Sequence, residues 1–184
     1  ALGAQAAFRS LLEALARPGT PQAMGPDVPT PPAGMGRGLY AAILALADFE
    51  TRVWLAPELA AAAADLRFQR GARLVDAPGD AALARAADGT ALPPLADFAQ
   101  GDDAYPDRST TLLIEVGELR ARGGWRLAGP GIASQARLGV EGLPADFVDQ
   151  WAENHTRFPR GVDLFLFAGT TFAGLPRTTE IRKG

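Results

Sequence analysis

Apolar residues recur at helical spacing near the start of the chain. They fall at positions i, i+3, i+4 and i+7 and therefore share one helix face: Phe8, Leu11, Leu12 and Leu15. An RPG motif follows at residues 17–19. Proline cannot continue the helical hydrogen-bond ladder, and glycine readily adopts the left-handed cap. We therefore predict one amphipathic helix that ends at the RPG motif.

Helix and strand patterns alternate through the rest of the first half. Residues 18–38 are rich in proline and glycine and predict a long irregular surface connection. The predicted elements are a buried helix over Leu39–Ala47, a strand over Thr51–Leu55, a helix over Glu58–Arg70 ended by Gly71, a strand over Leu74–Asp76, and a helix over Ala81–Ala87 capped by Asp80. Such alternation is typical of α/β proteins.

Strand patterns dominate the second half, after a turn-rich segment at residues 88–108. The predicted elements are a central strand over Ser109–Val116, a second strand within Arg120–Ala128 that pairs as a hairpin through Gly123-Gly124, a helix over Pro144–Arg157, and strands over Val162–Ala168 and Thr170–Leu175. No repeat and no break in composition divides the sequence. We therefore expect one domain over residues 1–184, folded as a mixed α/β sandwich.

The composition excludes several kinds of chemistry. The 184 residues contain no cysteine and one histidine, which rules out a thiol nucleophile, an iron–sulfur cluster and any intrachain site built on two imidazoles. The only lysine, Lys183, is the next-to-last residue, a poor position for a Schiff base. We therefore expect no cofactor and no metal site.

Charge and hydropathy point away from nucleic acid and membranes. The net charge of −3 offers no basic footprint for nucleic acid. No apolar run is long enough to span a bilayer, and the opening residues lack the pattern of a signal peptide. We expect a cytoplasmic protein.

A glycine turn follows the strand that contains WRLA. Gly129 and Gly131 flank Pro130, and Ser134 stands where a dinucleotide fingerprint has its third glycine. The N–H groups of such a turn hold a phosphate where a helix follows. The alternative is a tight turn between two elements. The missing remainder of the fingerprint favours the turn.

Two further polar groups have simple structural interpretations. Asp102, Asp103 and Asp107 lack the alternating spacing of a calcium loop, which favours a solvated acidic loop. His155 ends the apolar stripe of the helix over Pro144–Arg157. A cation there complements the helix dipole, which favours a structural role.

Arginines flank the strand over Val162–Ala168. Arg157 and Arg160 precede it, and Arg177 stands beside Thr178 after the following strand. The arginine fork matches phosphate or carboxylate, and a threonine hydroxyl adds a donor. Two interpretations stay open: an anion-binding site, or ion pairs that hold the fold or an interface, where arginine is also favoured.

Six strings, in order and spread over nearly the whole chain, carry a family resemblance. They are FRSLLEALARPGTP, LADFETRVWL, DLRFQRGARLV, WRLAGPGI, FPRGVDLFLFAG and GLPRTT. With them the chain resembles the PhnH family, a subunit family of the bacterial carbon–phosphorus lyase system that degrades phosphonates. The resemblance runs from about Phe8 to about Thr179.

The resemblance implies a fold, partners and a pathway. The fold is a three-layer mixed-sheet α/β sandwich similar to the pyridoxal-phosphate-dependent transferases, without their cofactor. The partners are a second copy in a homodimer and the G, I and J subunits of a core complex. The wider system couples an alkylphosphonate to the ribose of ATP, displacing adenine and leaving a 5-triphosphate. No catalytic role is established for this subunit, so the implied role is assembly.

The resemblance also supplies candidate positions for an anion, a nucleotide or an interface. They are Arg67, Gly129, Gly131, Arg177 and Thr178. Where relatives carry His-Thr and then proline, this chain has Gln69, Arg70 and Arg73, so a histidine is missing there. We expect no catalytic residue. The alternatives are a stand-alone enzyme that holds a phosphate ligand with Arg177 and the glycine turn, and a phosphonate sensor, whose direct DNA contact the acidic charge disfavours.

Overall fold

The computed structural model describes residues 2–26, 30–57, 59, 63–86 and 88–184. The helices are α1 (Leu2–Ala16), α2 (Arg37–Leu46), α3 (Ala63–Arg70) and α4 (Phe147–Thr156). The strands are β1 (Gln22–Ala23), β2 (Arg52–Leu55), β3 (Arg73–Val75), β4 (Leu83–Ala86), β5 (Thr111–Glu115), β6 (Glu118–Ala128), β7 (Ala136–Glu141), β8 (Asp163–Ala168), β9 (Thr171–Leu175) and β10 (Glu180–Arg182). No helix in the described ranges is both long and apolar enough to cross a membrane.

The strands form two sheets of different size. The large sheet has seven strands in the order β1-β9-β8-β5-β4-β2-β3. Neighbouring strands from β8 to β3 are parallel, whereas β9 is antiparallel to both of its neighbours, β8 and β1. The small sheet is antiparallel, in the order β10-β6-β7. These sheets and helices α1 to α4 confirm the expected mixed α/β class.

The large sheet is buried on both faces, which places it in the middle of the fold. Successive residues of β5 alternate between two apolar cores: Leu112 and Ile114 face one, and Leu113 faces the other. The first core packs against α4 and the small sheet, and the second against α1, α2 and Leu66 of α3. A strand covered on both sides is apolar along its length, as its sequence predicts.

Most predicted elements are confirmed with boundaries shifted by a few residues. The RPG motif follows the end of α1, and Gly71, with φ of +64°, follows α3. The predicted helix over Glu58–Arg70 is confirmed for Ala63–Arg70, while residues 58 and 60–62 lie outside the described residues. The predicted central strand over Ser109–Val116 is β5, the middle strand of the large sheet.

The predicted helix over Ala81–Ala87 is wrong. Residues Leu83–Ala86 form β4, a fully buried strand between β2 and β5, and Asp80 lies in a short 3-10 turn; Ala87 lies outside the described residues. Alanine favours helices only weakly, and pairing with two neighbouring strands overrides that preference.

The predicted hairpin through Gly123-Gly124 is also wrong. The strand β6 continues through both glycines, and its register with β7 shifts between Arg120 and Trp125, as at a β-bulge. Both glycines have positive φ, which suits such a bulge. The hairpin instead joins β6 to β7 through the turn that contains Gly129 and Gly131.

Candidate functional site

Arg177 uses all of its guanidinium donors inside the chain. Its Nε and Nη2 donate to the Asp163 carboxylate, with Nη2 2.5 Å from Oδ2. The second Nη2 donor reaches Ser109 Oγ at 2.6 Å. Nη1 donates to the carbonyl oxygens of Pro106 and Pro159 at 3.0 and 3.1 Å. A guanidinium carries five N–H donors, so none is left for a ligand in this arrangement.

These contacts join three chain segments at one place. Asp163 opens β8, Ser109 precedes β5, and Arg177 follows β9. The backbone N–H of Arg177 also donates to Asp163 Oδ1 at 2.7 Å. The Asp163 carboxylate therefore neutralises Arg177 and fixes the turn that carries it. This turn lies where the parallel strands begin, and we call this side of the large sheet the amino edge.

Helix α4 is attached to the same turn. The Trp151 Nε1 donates to Thr179 O at 2.8 Å, and His155 Nδ1 lies 2.9 Å from Arg177 O. Because a carbonyl oxygen only accepts, His155 Nδ1 is the donor in this contact. His155 thus holds backbone together, in agreement with the structural interpretation of its sequence position.

The two glycines of the possible phosphate-binding turn, Gly129 and Gly131, pack closely against backbone atoms of other segments. A Cβ on Gly129 would lie 2.7 Å from Thr178 O, and one on Gly131 would lie 2.2 Å from Ala16 O. Both have positive φ. The strand β7 begins at Ala136, so the turn is not followed by the helix that a phosphate-binding turn requires. The turn is the tight connection between two elements that was the alternative interpretation.

The structure brings only some of the candidate positions together. Thr178 is partly buried in the same turn as Arg177, and Gly129 packs against it. Arg67 is exposed on α3, which packs near β3 at the opposite end of the large sheet from β9. Asp102 caps its own loop, accepting from the N–H groups of Ala104 and Tyr105.

An apolar groove opens beside the Arg177–Asp163 pair. It measures about 320 Å³ and lies between α1 and the amino edge. Its wall is the face of α1 that carries Phe8 and Leu12, which are 43% and 52% exposed. Its floor includes strand starts and the end of α2: Leu46, Thr51, Leu83, Thr111, Asp163 and Phe165. Half of the apolar stripe predicted for this helix therefore faces solvent rather than core.

All exposed large apolar side chains of the described part of the chain lie at this edge or on α1 beside it. Phe49 precedes β2, Tyr105 precedes β5, and Phe158 precedes β8. With Phe8 and Leu12 they form what we call the amino-edge surface. Concentration of exposed apolar residues on one side of a protein marks an interaction site.

One acidic residue of the amino edge, Asp48, is held in place by hydrogen bonds. Asp48 stands before Phe49, and its Oδ1 accepts from the Thr51 hydroxyl at 2.7 Å and from the N–H groups of Glu50 and Thr51. The Thr51 hydroxyl bond, followed by the Glu50 N–H bond, holds the pKa of Asp48 below its ordinary value. Asp48 is therefore a fixed negative charge beside an exposed aromatic ring.

The opposite, carboxyl ends of the strands hold a buried ion pair that sequence analysis missed. Arg85 in β4 is fully buried, and its Nη2 donates to Glu115 Oε2 and to Gly34 O at 3.3 Å each. A Cβ on Gly36 would collide with Glu115 Oε1. The glycine-rich segment before α2 thus packs directly onto the pair.

Across the described ranges, no group of three His, Cys, Asp or Glu residues is placed to hold a metal ion.

The structure shows a mixed α/β fold with its exposed apolar side chains at one edge, and comparison with known proteins gives the family. The family model described as bacterial phosphonate metabolism protein (PhnH) matches residues 1–182. The chain belongs to the PhnH family, which confirms the resemblance found in its sequence.

Two curated relatives agree. The chain is 41% identical over 184 residues to the alpha-D-ribose 1-methylphosphonate 5-triphosphate synthase subunit PhnH of Rhizobium meliloti (strain 1021), covering 98% of this chain and 90% of that protein. It is 38% identical over 76 residues to the putative C-P lyase subunit protein HtxG of Stutzerimonas stutzeri, covering 41% of this chain and 39% of that protein.

Proposed function

We propose that this chain is a non-catalytic assembly subunit of the carbon–phosphorus lyase core complex. In that role it supports transfer of the ribose 5-triphosphate moiety of ATP to an alkylphosphonate, the reaction of a ribose 1-methylphosphonate 5-triphosphate synthase. It works as one PhnH-like domain in the cytoplasm. Its partners are the G, I and J subunits, and a second copy when these are absent.

The match to subunits of this system and the amino-edge surface support the proposal together. Phe8 and Leu12 lie beside Leu11 and Ala14 on the same helix, and these two neighbours are already buried in the core. Burial of apolar area contributes about 25 cal/mol per Å², so covering two such side chains contributes a few kcal/mol to association. A partner that covers this edge would bury apolar residues that the fold leaves exposed.

The polar groups of the chain support an assembly role as well. Arg177, the strongest candidate for an anion site, is neutralised by Asp163 and has its donors engaged. Lys183 pairs on the surface with Asp149, and its side chain is 63% exposed. An amine in open solvent does not suit the internal aldimine of the pyridoxal-phosphate-dependent transferases, whose fold the resemblance implies.

Co-purification with the partner subunits tests the proposal. The variant Leu12→Glu places a carboxylate in the groove, whereas Ala6→Glu places the same side chain on the exposed far side of α1. We expect Leu12→Glu to lose most of the complex and Ala6→Glu to keep it, with both chains folded by circular dichroism. A complex that forms equally well with both variants would contradict the use of this surface.

Ligand binding by the isolated chain separates the rival, a stand-alone enzyme that binds a phosphate ligand. Calorimetry with ATP, ribose 5-phosphate and methylphosphonate should give no heat of binding. Tight binding that Arg177→Ala abolishes while the chain stays folded would favour the rival. That result would require Arg177 to exchange Asp163 for the ligand.

A further inference from the structure

Three arginines stand side by side on the outer face of the small sheet. Arg126 in β6 is in register with Arg137 of β7 on one side and with Arg182 of β10 on the other. All three are exposed. Neighbouring strands lie about 4.8 Å apart, so the row crosses the whole three-stranded sheet in about 10 Å.

The inner residues of the same strands fix this register. Leu127 is paired with Ala136 and Ile181, and Leu127 and Ile181 are buried in the core against α4. Because side chains alternate between faces, a shift by one residue would expose these apolar residues. The core thus forces the arginines together on the outer face.

Charge within the row is only partly balanced. Arg182 pairs with Glu180, with Nη2 2.7 Å from Oε1. Arg126 and Arg137 make no ion pair and no side-chain hydrogen bond with any residue in the described ranges. Like charges directly opposite each other on paired strands destabilise a sheet. Two uncompensated cations at adjacent positions, in a chain of net charge −3, therefore disfavour the isolated fold.

We propose that this arginine row (Arg126, Arg137 and Arg182) is a second docking surface, which binds a carboxylate-bearing segment of a partner subunit. Guanidinium forks pair bidentately with carboxylates, and arginine is enriched in protein interfaces. The row lies on the face of a sheet rather than in a cleft, and small ligands bind in concave pockets. The geometry therefore favours an acidic protein segment over a small anion.

The row is distinct from the amino-edge surface. It lies on the outer face of the small sheet, whereas α1 packs on the other side of the large sheet. Arg52 and Arg73 are also in register, but they begin β2 and β3 and therefore lie at the amino edge, away from the small sheet. The inference rests on the proposed function in one respect, because its occupant is a subunit of the same complex.

Reversing the charge of Arg126, in the middle of the row, should stabilise the isolated chain and weaken its association with the partner subunits. A purely structural role would not give both effects. In Arg126→Glu, the new carboxylate lies between Arg137 and Arg182 and forms cross-strand ion pairs, so the isolated chain should melt at a higher temperature. Association with the G, I and J subunits should weaken about tenfold or more and become less sensitive to salt. The control Arg122→Glu makes the same change at an exposed residue within the bulge of β6, where no register partner lies opposite it, and should alter both quantities much less.

The outcomes separate this inference from the proposed function. If the unaltered chain assembles and Arg126→Glu assembles equally well, the arginine row is not a docking surface, while the proposed function stands. If the unaltered chain does not assemble with these subunits, both fail. If inorganic tripolyphosphate binds the isolated chain at the row and Arg126→Glu abolishes that binding without affecting assembly, the occupant is a small anion and the inference is overturned.

Discussion

The guanidinium of Arg177 and the carboxylate of Asp163 form a paired contact in which both side chains are largely buried, at 12% and 24% exposure. The pair connects the turn after β9 to the start of β8, and through Ser109 to the approach to β5. It therefore fixes the amino ends of two central strands. The groove between α1 and the sheet depends on this arrangement, since Asp163 lines it.

Removal of Arg177 should destabilise the fold. The variant Arg177→Ala leaves the Asp163 carboxylate partly buried without its partner, so we expect a loss of about 2–4 kcal/mol in the free energy of unfolding by urea. The control is Arg160→Ala, which breaks the exposed pair with Asp103 and should change stability by less than about 0.5 kcal/mol. Equal stability of the two variants would show that the Arg177 network is not a structural element.

A methyl group on Gly36 should disturb the buried pair at the carboxyl ends. In Gly36→Ala the new Cβ collides with Glu115 Oε1, and the carboxylate must move away from Arg85. We expect thermal unfolding to show a loss of about 1–3 kcal/mol. In Gly25→Ala nothing lies within 4 Å of the new Cβ, so stability should stay within about 0.5 kcal/mol.

The turn between β6 and β7 should tolerate no side chain at its second glycine. Gly131→Ala combines a positive φ with a Cβ 2.2 Å from Ala16 O. Gly123→Ala has a similar φ but meets nothing within 4 Å. Gly131→Ala should therefore be less stable than Gly123→Ala by about 1 kcal/mol or more in urea unfolding. Similar losses in the two variants would contradict the close packing of this turn on the end of α1.

Acid should weaken the loop that carries Asp48. Hydrogen bonds from Thr51 and Glu50 hold the pKa of Asp48 below the ordinary value of 3.8. A group whose pKa is lower in the folded state stabilises the fold above the unfolded pKa, and this contribution is lost as the pH falls through the folded pKa. Asp88 should lose a stabilising contribution in acid in the same way, because hydrogen bonds from the Thr90 hydroxyl and N–H lower its pKa.

Thermal melts between about pH 6 and about pH 2 test this effect. We expect the decline in melting temperature below the unfolded pKa to be smaller in Asp48→Asn than in the unaltered chain. Asp76→Asn removes an exposed aspartate that has no side-chain hydrogen bond within the described ranges, and should leave the decline nearly unchanged. Identical profiles for all three proteins would contradict the assigned role of Asp48.

Hydrophobic periodicity predicted the long elements correctly because their apolar faces pack on one another. The spacing in α1 predicted the helix but not which apolar residues are buried. Leu11 packs in the core, whereas Phe8 and Leu12, on the adjacent part of the same stripe, remain exposed. A single sequence shows which residues form the apolar stripe. It does not show how much of that stripe the rest of the fold covers.

Strand β4 shows where local preference fails. Its residues LARA resemble a helix, yet the strand lies between two parallel neighbours that supply all its backbone partners. The error also hid Arg85, because one arginine in a predicted helix does not indicate a buried ion pair. The position of Arg126 opposite Arg137 was not predicted, because the register of β6 and β7 shifts at the bulge around Gly123-Gly124 and this shift cannot be read from the local sequence pattern.

Thiol labelling of complexes tests the central claim most directly, since the chain contains no cysteine of its own. A single cysteine is placed in the groove by Leu12→Cys and on the far side of the same helix by Ala6→Cys. The isolated proteins should be labelled at similar rates. In the assembled complex, labelling at residue 12 should slow at least about tenfold while labelling at residue 6 stays fast. Unchanged labelling at residue 12 in the complex would contradict the account.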